Sequence, residues 1–161
     1  MNRLLPLILL ISYFLLPVIS VSAESARVER IVDGDTLVLS GVGTVRLQGI
    51  DVPEWQVNKR DAYFERQGIA PEHLRQIAQE ARRSLLTLVG ETVRIEGREK
   101  DRYGRQVVLL WRPDGTLLNQ QLLKSGYAVV YRRFDFAEKK KFLVTEKRAR
   151  QRGVGLWKKR R

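Results

Sequence analysis

The sequence contains no cysteine. No disulfide can hold the fold, and thiolate catalysis and cysteine-ligated metals are excluded. There is one histidine, His73, which excludes a histidine-rich zinc cluster as well. Internal repeats and low-complexity linkers are also missing, so the 161 residues suit a single domain with an ordinary core. Acids are scarce: 18 Asp and Glu stand against 30 Lys and Arg, which leaves a net charge of +12 and a pI near 10.5. That excess favours a polyanionic partner, either nucleic acid or an anionic membrane surface, although a merely solubilising surface would have the same composition.

What is present begins with a segment to set apart from the fold. Residues 1–3 are a short basic start, and residues 4–21 are almost wholly apolar. Val21-Ser22-Ala23 then has the small-residue spacing of a signal-peptidase site, so cleavage is expected after Ala23, leaving residues 24–161 as the mature domain. The rival is an uncleaved anchor, since about 18 apolar residues just span a bilayer. Pro6 and Pro17 make a continuous spanning helix less comfortable. Either way, the domain is expected outside the cytoplasm: secreted, periplasmic or at the cell surface. Cleavage would remove Arg3 and no acid, lowering the net charge to +11.

In the remainder, residues 27–32, 36–39 and 44–47 read as three strands. They are joined by the turns Asp33-Gly34-Asp35 and Gly41-Val42-Gly43, which suggests a meander. Pro53 stops that run. Residues 55–70 show no period and read as a loop. Pro71-Glu72 opens a helix, with Leu74, Ile77, Ala78, Ala81, Leu85 and Leu88 on one face, closing at Gly90. Residues 92–96 and 106–111 read as two further strands, 117–124 as a short helix closed by Gly126, and 135–152 as a longer basic helix with a thin apolar face of Phe142 and Ala149. Leu156 and Trp157 are expected to pack against its end. Five short strands with a helix inserted after the third fit an α+β fold: a small closed barrel capped by helices.

The chemistry rests on acids and arginines. Asp33 and Asp35 flank a turn glycine, and Asp51 and Glu54 follow another strand. If those strands pair, four carboxylates gather at one end of the sheet, an arrangement that calls for a cation. Hard oxygen donors without His or Cys favour calcium or magnesium. Taken alone, each of the two segments reads as an acidic turn, with Asp33 capping backbone. Arg46 lies on a strand, and Arg105 ends Asp101-Arg102-Tyr103-Gly104-Arg105. Guanidinium groups grip phosphate with paired hydrogen bonds. Metal-binding acids, a free carboxylate and two arginines together suit phosphoryl transfer; taken singly, Arg46 reads as an ion-pair partner and Arg105 as a solvated turn residue.

In order along the chain come Val32-Asp33-Gly34-Asp35-Thr36-Leu37, Val45-Arg46-Leu47-Gln48-Gly49-Ile50-Asp51-Val52-Pro53-Glu54, and Asp101-Arg102-Tyr103-Gly104-Arg105. These segments resemble the staphylococcal nuclease (thermonuclease) family. Asn119, Ser125-Gly126-Tyr127-Ala128 and Gly155-Leu156-Trp157 extend the resemblance from about Val28 to Trp157. It implies a five-stranded OB-fold barrel with three helices. It implies calcium held by Asp35, Asp51 and the backbone carbonyl of Val52, where the family often has Thr. It further implies Glu54 as general base, Arg46 and Arg105 as the phosphate-binding pair, Asp33 as a nearby acid and Tyr103 as a structural neighbour. The implied activity is calcium-dependent hydrolysis of DNA and RNA, as a monomer, leaving 3′-phosphates.

Trp55, Tyr63 and Phe64 could stack on bases, giving a preference for single-stranded or frayed substrate, or could pack on the barrel. Lys139, Lys140, Lys141 and residues 158–161 could track phosphates or form a solvated face and tail. His73 needs no catalytic role. The competing readings are a non-catalytic OB-fold module that binds nucleic acid, and a basic protein that binds anionic membranes or cell-wall polymers.

Overall fold

The computed structural model describes residues 24–158. The expected signal segment and its cleavage point lie outside the described residues, as do residues 159–161. Strand β1 (Glu24–Ile31) turns Ala26, Val28 and Ile31 into the core. Its first half pairs with β5 (Thr92–Glu96), with Glu24 opposite Ile95. Its second half pairs with β2 (Thr36–Leu39), with Val28 opposite Leu39. The register slips between Val28 and Arg30. An extra residue at such a slip bends a strand, so one strand can serve two neighbours that face different ways.

From β2 the chain turns into β3 (Gly43–Leu47), which is antiparallel to β2 and parallel to β6 (Gln106–Trp111). Strand β6 returns antiparallel to β5, closing the barrel in the order β1-β2-β3-β6-β5. This is the α+β, five-stranded OB-type barrel that the sequence predicts. Leu37, Leu39, Val45, Leu47, Val93, Ile95, Val108 and Leu110 fill its interior, each at most 1% exposed. Outside the barrel, the two-residue β4 (Ile50–Asp51) pairs with β7 (Val129–Val130), which ties the segment bearing Asp51 to the far end of the chain.

Residues 55–70 are not wholly loop. They contain α1 (Asp61–Glu65), a helix of five residues, too short to show a period in the sequence, held by burial of Phe64 among Ile69, Leu74 and Ile77. Asp61 is buried and forms an ion pair with Arg75 of α2 (Pro71–Leu86) at 2.6 Å. Helix α2 presents the predicted face, placing Ala81 and Leu85 on the barrel and Leu74 and Ile77 in the second cluster. It ends at Leu86 rather than Gly90, and Leu88 enters the core from the turn that follows.

Helices α3 (Leu118–Lys124) and α4 (Lys139–Arg152) pack on each other and complete the three substantial helices. Helix α4 starts four residues later than predicted. Its thin apolar face is supplemented by Glu146, buried beneath Arg132 and accepting the Val130 N–H at 3.2 Å. Asn119 fastens α3 to the barrel. Fully buried, it accepts the Leu110 N–H at 3.0 Å and donates to the carbonyls of Gln48 and Val108 at 2.9 and 3.1 Å. Leu156 is buried at the end of α4, and Trp157 lies under the Arg150 guanidinium at 3.8 Å.

Candidate active site

The sheet register brings the acids and arginines to one place. Thr36 pairs with Arg46 across β2 and β3, so Asp35, just before Thr36, lies beside the Arg46 side chain. Val45 pairs with Gln106 across β3 and β6, which places Arg105 at the same end of the barrel. Gly34 lets the turn between β1 and β2 close onto the segment after β4. A Cβ on Gly34 would lie 2.4 Å from Val52 Cγ1, so only a residue without a side chain permits that approach. The Val52 N–H donates to Asp35 Oδ2 at 3.3 Å across this contact.

The Arg46 guanidinium bridges two buried carboxylates. Nη1 donates to Asp35 Oδ1 at 2.6 Å and Nη2 to Asp51 Oδ1 at 2.9 Å. Asp35 Oδ1 also accepts the Thr36 hydroxyl at 3.1 Å. Asp33 accepts the Asp35 N–H at 2.9 Å. Burial, and then the negative charge of Asp35, push the Asp33 carboxyl above its usual range. Glu54 stands at the rim, its side chain 30% exposed. Burial, followed by the charges of Asp33 and Asp35, pushes its pKa up to about 7 despite the opposing pull of Arg46 and Arg105.

Arg105 reaches the site from the turn before β6. Its Nη1 donates to Thr36 Oγ1 at 3.4 Å, and its Nε and Nη2 hold Asp101 Oδ2 at 2.8 and 2.7 Å. Asp101 in turn accepts the N–H groups of Tyr103 and Arg105 on Oδ1. Although desolvation acts the other way, these hydrogen bonds hold the Asp101 carboxyl below its usual range. Tyr103 lies 67% exposed against the guanidinium groups of Arg102 and Arg105. Its hydroxyl accepts from Arg102 Nη2 at 2.6 Å, so the ring is held within the turn that carries Arg105 while its outer surface stays exposed.

Arg60 joins the site although no motif or spacing marks it. Its guanidinium contacts Asp51 Oδ1 through Nη2 and lies 3.6 Å from Glu54 Oε1 through Nη1. The signal in the sequence is slight: the basic pair Lys59-Arg60 before Asp61, in a stretch without a period. Desolvation, and then the neighbouring charge of Arg46, lower the Arg60 pKa.

The stacking candidates separate. Phe64 is buried, and Tyr63 is half-buried, edge-on to Phe64 at 5.5 Å between ring centres. Both are packing residues. Trp55, directly after Glu54, is 63% exposed. His73 Nε2 lies 2.9 Å from the Gly155 carbonyl, a structural tie between α2 and the chain end. Lys139 is spent on the carbonyls of Arg132 and Phe134, whereas Lys140 is exposed.

Among the described residues, no three Asp, Glu, His or Cys side chains form a group able to hold a metal ion. The acids Asp35 and Asp51 with the Val52 backbone offer oxygen donors alone, a set that fits a hard divalent cation and not zinc. Two buried carboxylates share one guanidinium, and beside them burial, then the charges of Asp33 and Asp35, push Glu54 up, so added positive charge would relieve the site.

The model of the staphylococcal nuclease homologue family matches residues 44–159. The chain is similar to an "uncharacterized endonuclease" of Escherichia coli O157:H7, 31% identical over 98% of this chain and 90% of that protein. An "uncharacterized endonuclease" of Haemophilus influenzae is 29% identical over 92% of this chain and 75% of that protein. The thermonuclease of Staphylococcus intermedius is 30% identical over 85% of this chain and 78% of that protein.

Proposed function

Because the chain belongs to the staphylococcal nuclease family, whose chemistry is that of a nuclease-type phosphodiesterase, we propose that it hydrolyses DNA and RNA with calcium as cofactor, cutting single-stranded or frayed substrate. The observation that carries this reading is the convergence of Asp35, Asp51, Glu54, Arg46 and Arg105 at one end of the barrel from separate segments of the chain.

Asp35, Asp51 and the Val52 carbonyl would hold the calcium. Bound there, it would neutralise the acids and polarise a phosphate oxygen. Arg46 and Arg105 grip the non-bridging oxygens of the phosphate and stabilise the charge that builds on them. Glu54, with a pKa near neutrality, takes a proton from water as the water oxygen bonds to phosphorus. The bond from phosphorus to the 5′ oxygen breaks, that oxygen takes a proton from solvent, and a 3′-phosphate and a 5′-hydroxyl remain. Trp55 and Tyr103, both open to solvent beside this group, offer faces on which unpaired bases stack.

We place the domain outside the cytoplasm on the strength of the apolar segment at residues 4–21 and the small-residue site after it. Among the described residues, no helix is long and apolar enough to cross a membrane.

The test is hydrolysis of heat-denatured DNA in calcium, in excess chelator, and by Glu54→Gln. Cleavage should vanish with chelator, and kcat should fall by roughly 100-fold or more in the variant, equivalent to about 3 kcal/mol of transition-state stabilisation. Tight binding without cleavage in calcium would instead make the chain a nucleic-acid-binding module.

A further inference from the structure

We propose that Arg60 is the exchangeable counter-ion of this site: its guanidinium occupies Asp51 and Glu54 until a divalent cation displaces it, so that Arg60 sets how tightly the cation binds. This rests on the cation-site reading above. Asp51 Oδ1 accepts from Arg46 at 2.9 Å and is in ion-pair contact with Arg60 as well. Asp51 Oδ1 is thereby taken up by positive charge, and a cation that binds the remaining Asp51 oxygen arrives beside both guanidinium groups.

The two arginines are held differently. Arg46 projects from a barrel strand, is 16% exposed, and is fixed at both ends by Asp35 and Asp51. Arg60 comes from the segment before α1, is 39% exposed, and meets only Asp51 and the rim carboxylate of Glu54, the latter at 3.6 Å. Its backbone is anchored: the Arg60 N–H donates to Asn58 Oδ1 at 2.7 Å, and the next residue, Asp61, is paired with Arg75. The side chain can therefore swing into solvent while the backbone stays in place. A divalent cation would repel both guanidinium groups, and Arg60, more exposed and held on one side only by the longer contact to Glu54, leaves at lower cost.

The test is a calorimetric titration of calcium into the full chain without nucleic acid, at fixed ionic strength, for the wild type, Arg60→Gln, Arg60→Met and Arg60→Lys. Removing the competing charge should tighten calcium binding about tenfold in Arg60→Gln and Arg60→Met. Arg60→Lys, which keeps the charge, should stay within about threefold of the wild type. The calcium-induced rise in melting temperature should grow in the same order, which provides a second readout in any variant of reduced stability. Equal or weaker calcium binding in the two neutral variants, with the wild type binding, would overturn the role of Arg60 and leave the cation site standing. Absence of calcium binding in all four chains would overturn both.

Discussion

Replacing Gly34 by alanine tests the link between core packing and the catalytic group. The new methyl carbon would lie 2.4 Å from Val52 Cγ1 and 3.1 Å from both Val52 Cβ and the Ala81 methyl. Contacting carbons settle at about 3.5–4.0 Å, so the turn and the Val52 segment must separate by about 1 Å. Gly34 is not among the glycines with positive φ, so alanine adds no backbone strain and the effect is steric. Overpacking on this scale costs about 1–3 kcal/mol, or roughly 4 °C of melting temperature per kcal/mol for a domain of this size. The larger effect falls on catalysis. The same turn carries Asp35, whose Oδ2 accepts the Val52 N–H, and a misplacement of about 1 Å costs roughly 100-fold in rate. Initial rates on heat-denatured DNA in saturating calcium, paired with urea unfolding midpoints, measure the two separately. Gly34→Ala should lose about 30–100-fold in kcat at temperatures where it remains folded. Adding Val52→Ala removes the 2.4 Å clash and keeps the backbone carbonyl, so the double variant should recover most of the rate. A kcat for Gly34→Ala within about twofold of the wild type, together with a measurable loss of stability, would refute the argument that this contact positions Asp35.

Asn119→Ala removes three hydrogen bonds and leaves the Leu110 N–H and the Gln48 carbonyl without their Asn119 partner, while the Val108 carbonyl keeps the Gln48 N–H at 2.8 Å; urea unfolding should show a loss of about 2–4 kcal/mol. Glu54 has a pKa raised from 4.5 to about 7 on folding, so in chelator the folded chain keeps a proton there that the unfolded chain has released. Its contribution to stability therefore falls as pH rises from about 4.5 to 7. Glu54→Gln cannot titrate, so its stability advantage over the wild type should grow across that window; urea midpoints at pH 5 and pH 8 that differ by the same amount would refute this. Lys140→Ala should weaken nucleic-acid binding slightly and reduce its dependence on salt, and an unchanged salt slope would return Lys140 to a solvated face.

Elements whose cause is local were legible in the sequence. Strands β5 and β6 match their predicted ends because alternation and turn residues bound them, and α2 matches its predicted face because its stripe repeats over four turns. The acids and arginines were legible as types and spacings, because oxygen donors and guanidinium groups suit few chemistries. The short α1 was not, since five residues hold their helix only by burying Phe64 under residues far along the chain. Glu146 read as one charge among many on a basic helix. Only packing shows it buried, where it meets Arg132 and the Val130 N–H.

The sequence by itself determined which residues could do chemistry here and, through cysteine and histidine usage, which chemistries were closed to them. It also determined the strands and helices set by near-neighbour periodicity. Tertiary structure alone decided barrel closure, because a bulge midway along β1 gives one strand two partners. It decided that Gly34 must lack a side chain for Asp35 to reach Val52. It decided, too, that Arg60 meets Asp51 and Glu54 while Tyr63 and Phe64 turn inward. The physical reason is the same throughout: charge pairing, desolvation and close packing act over distance in space, and the chain brings together residues that no local pattern relates.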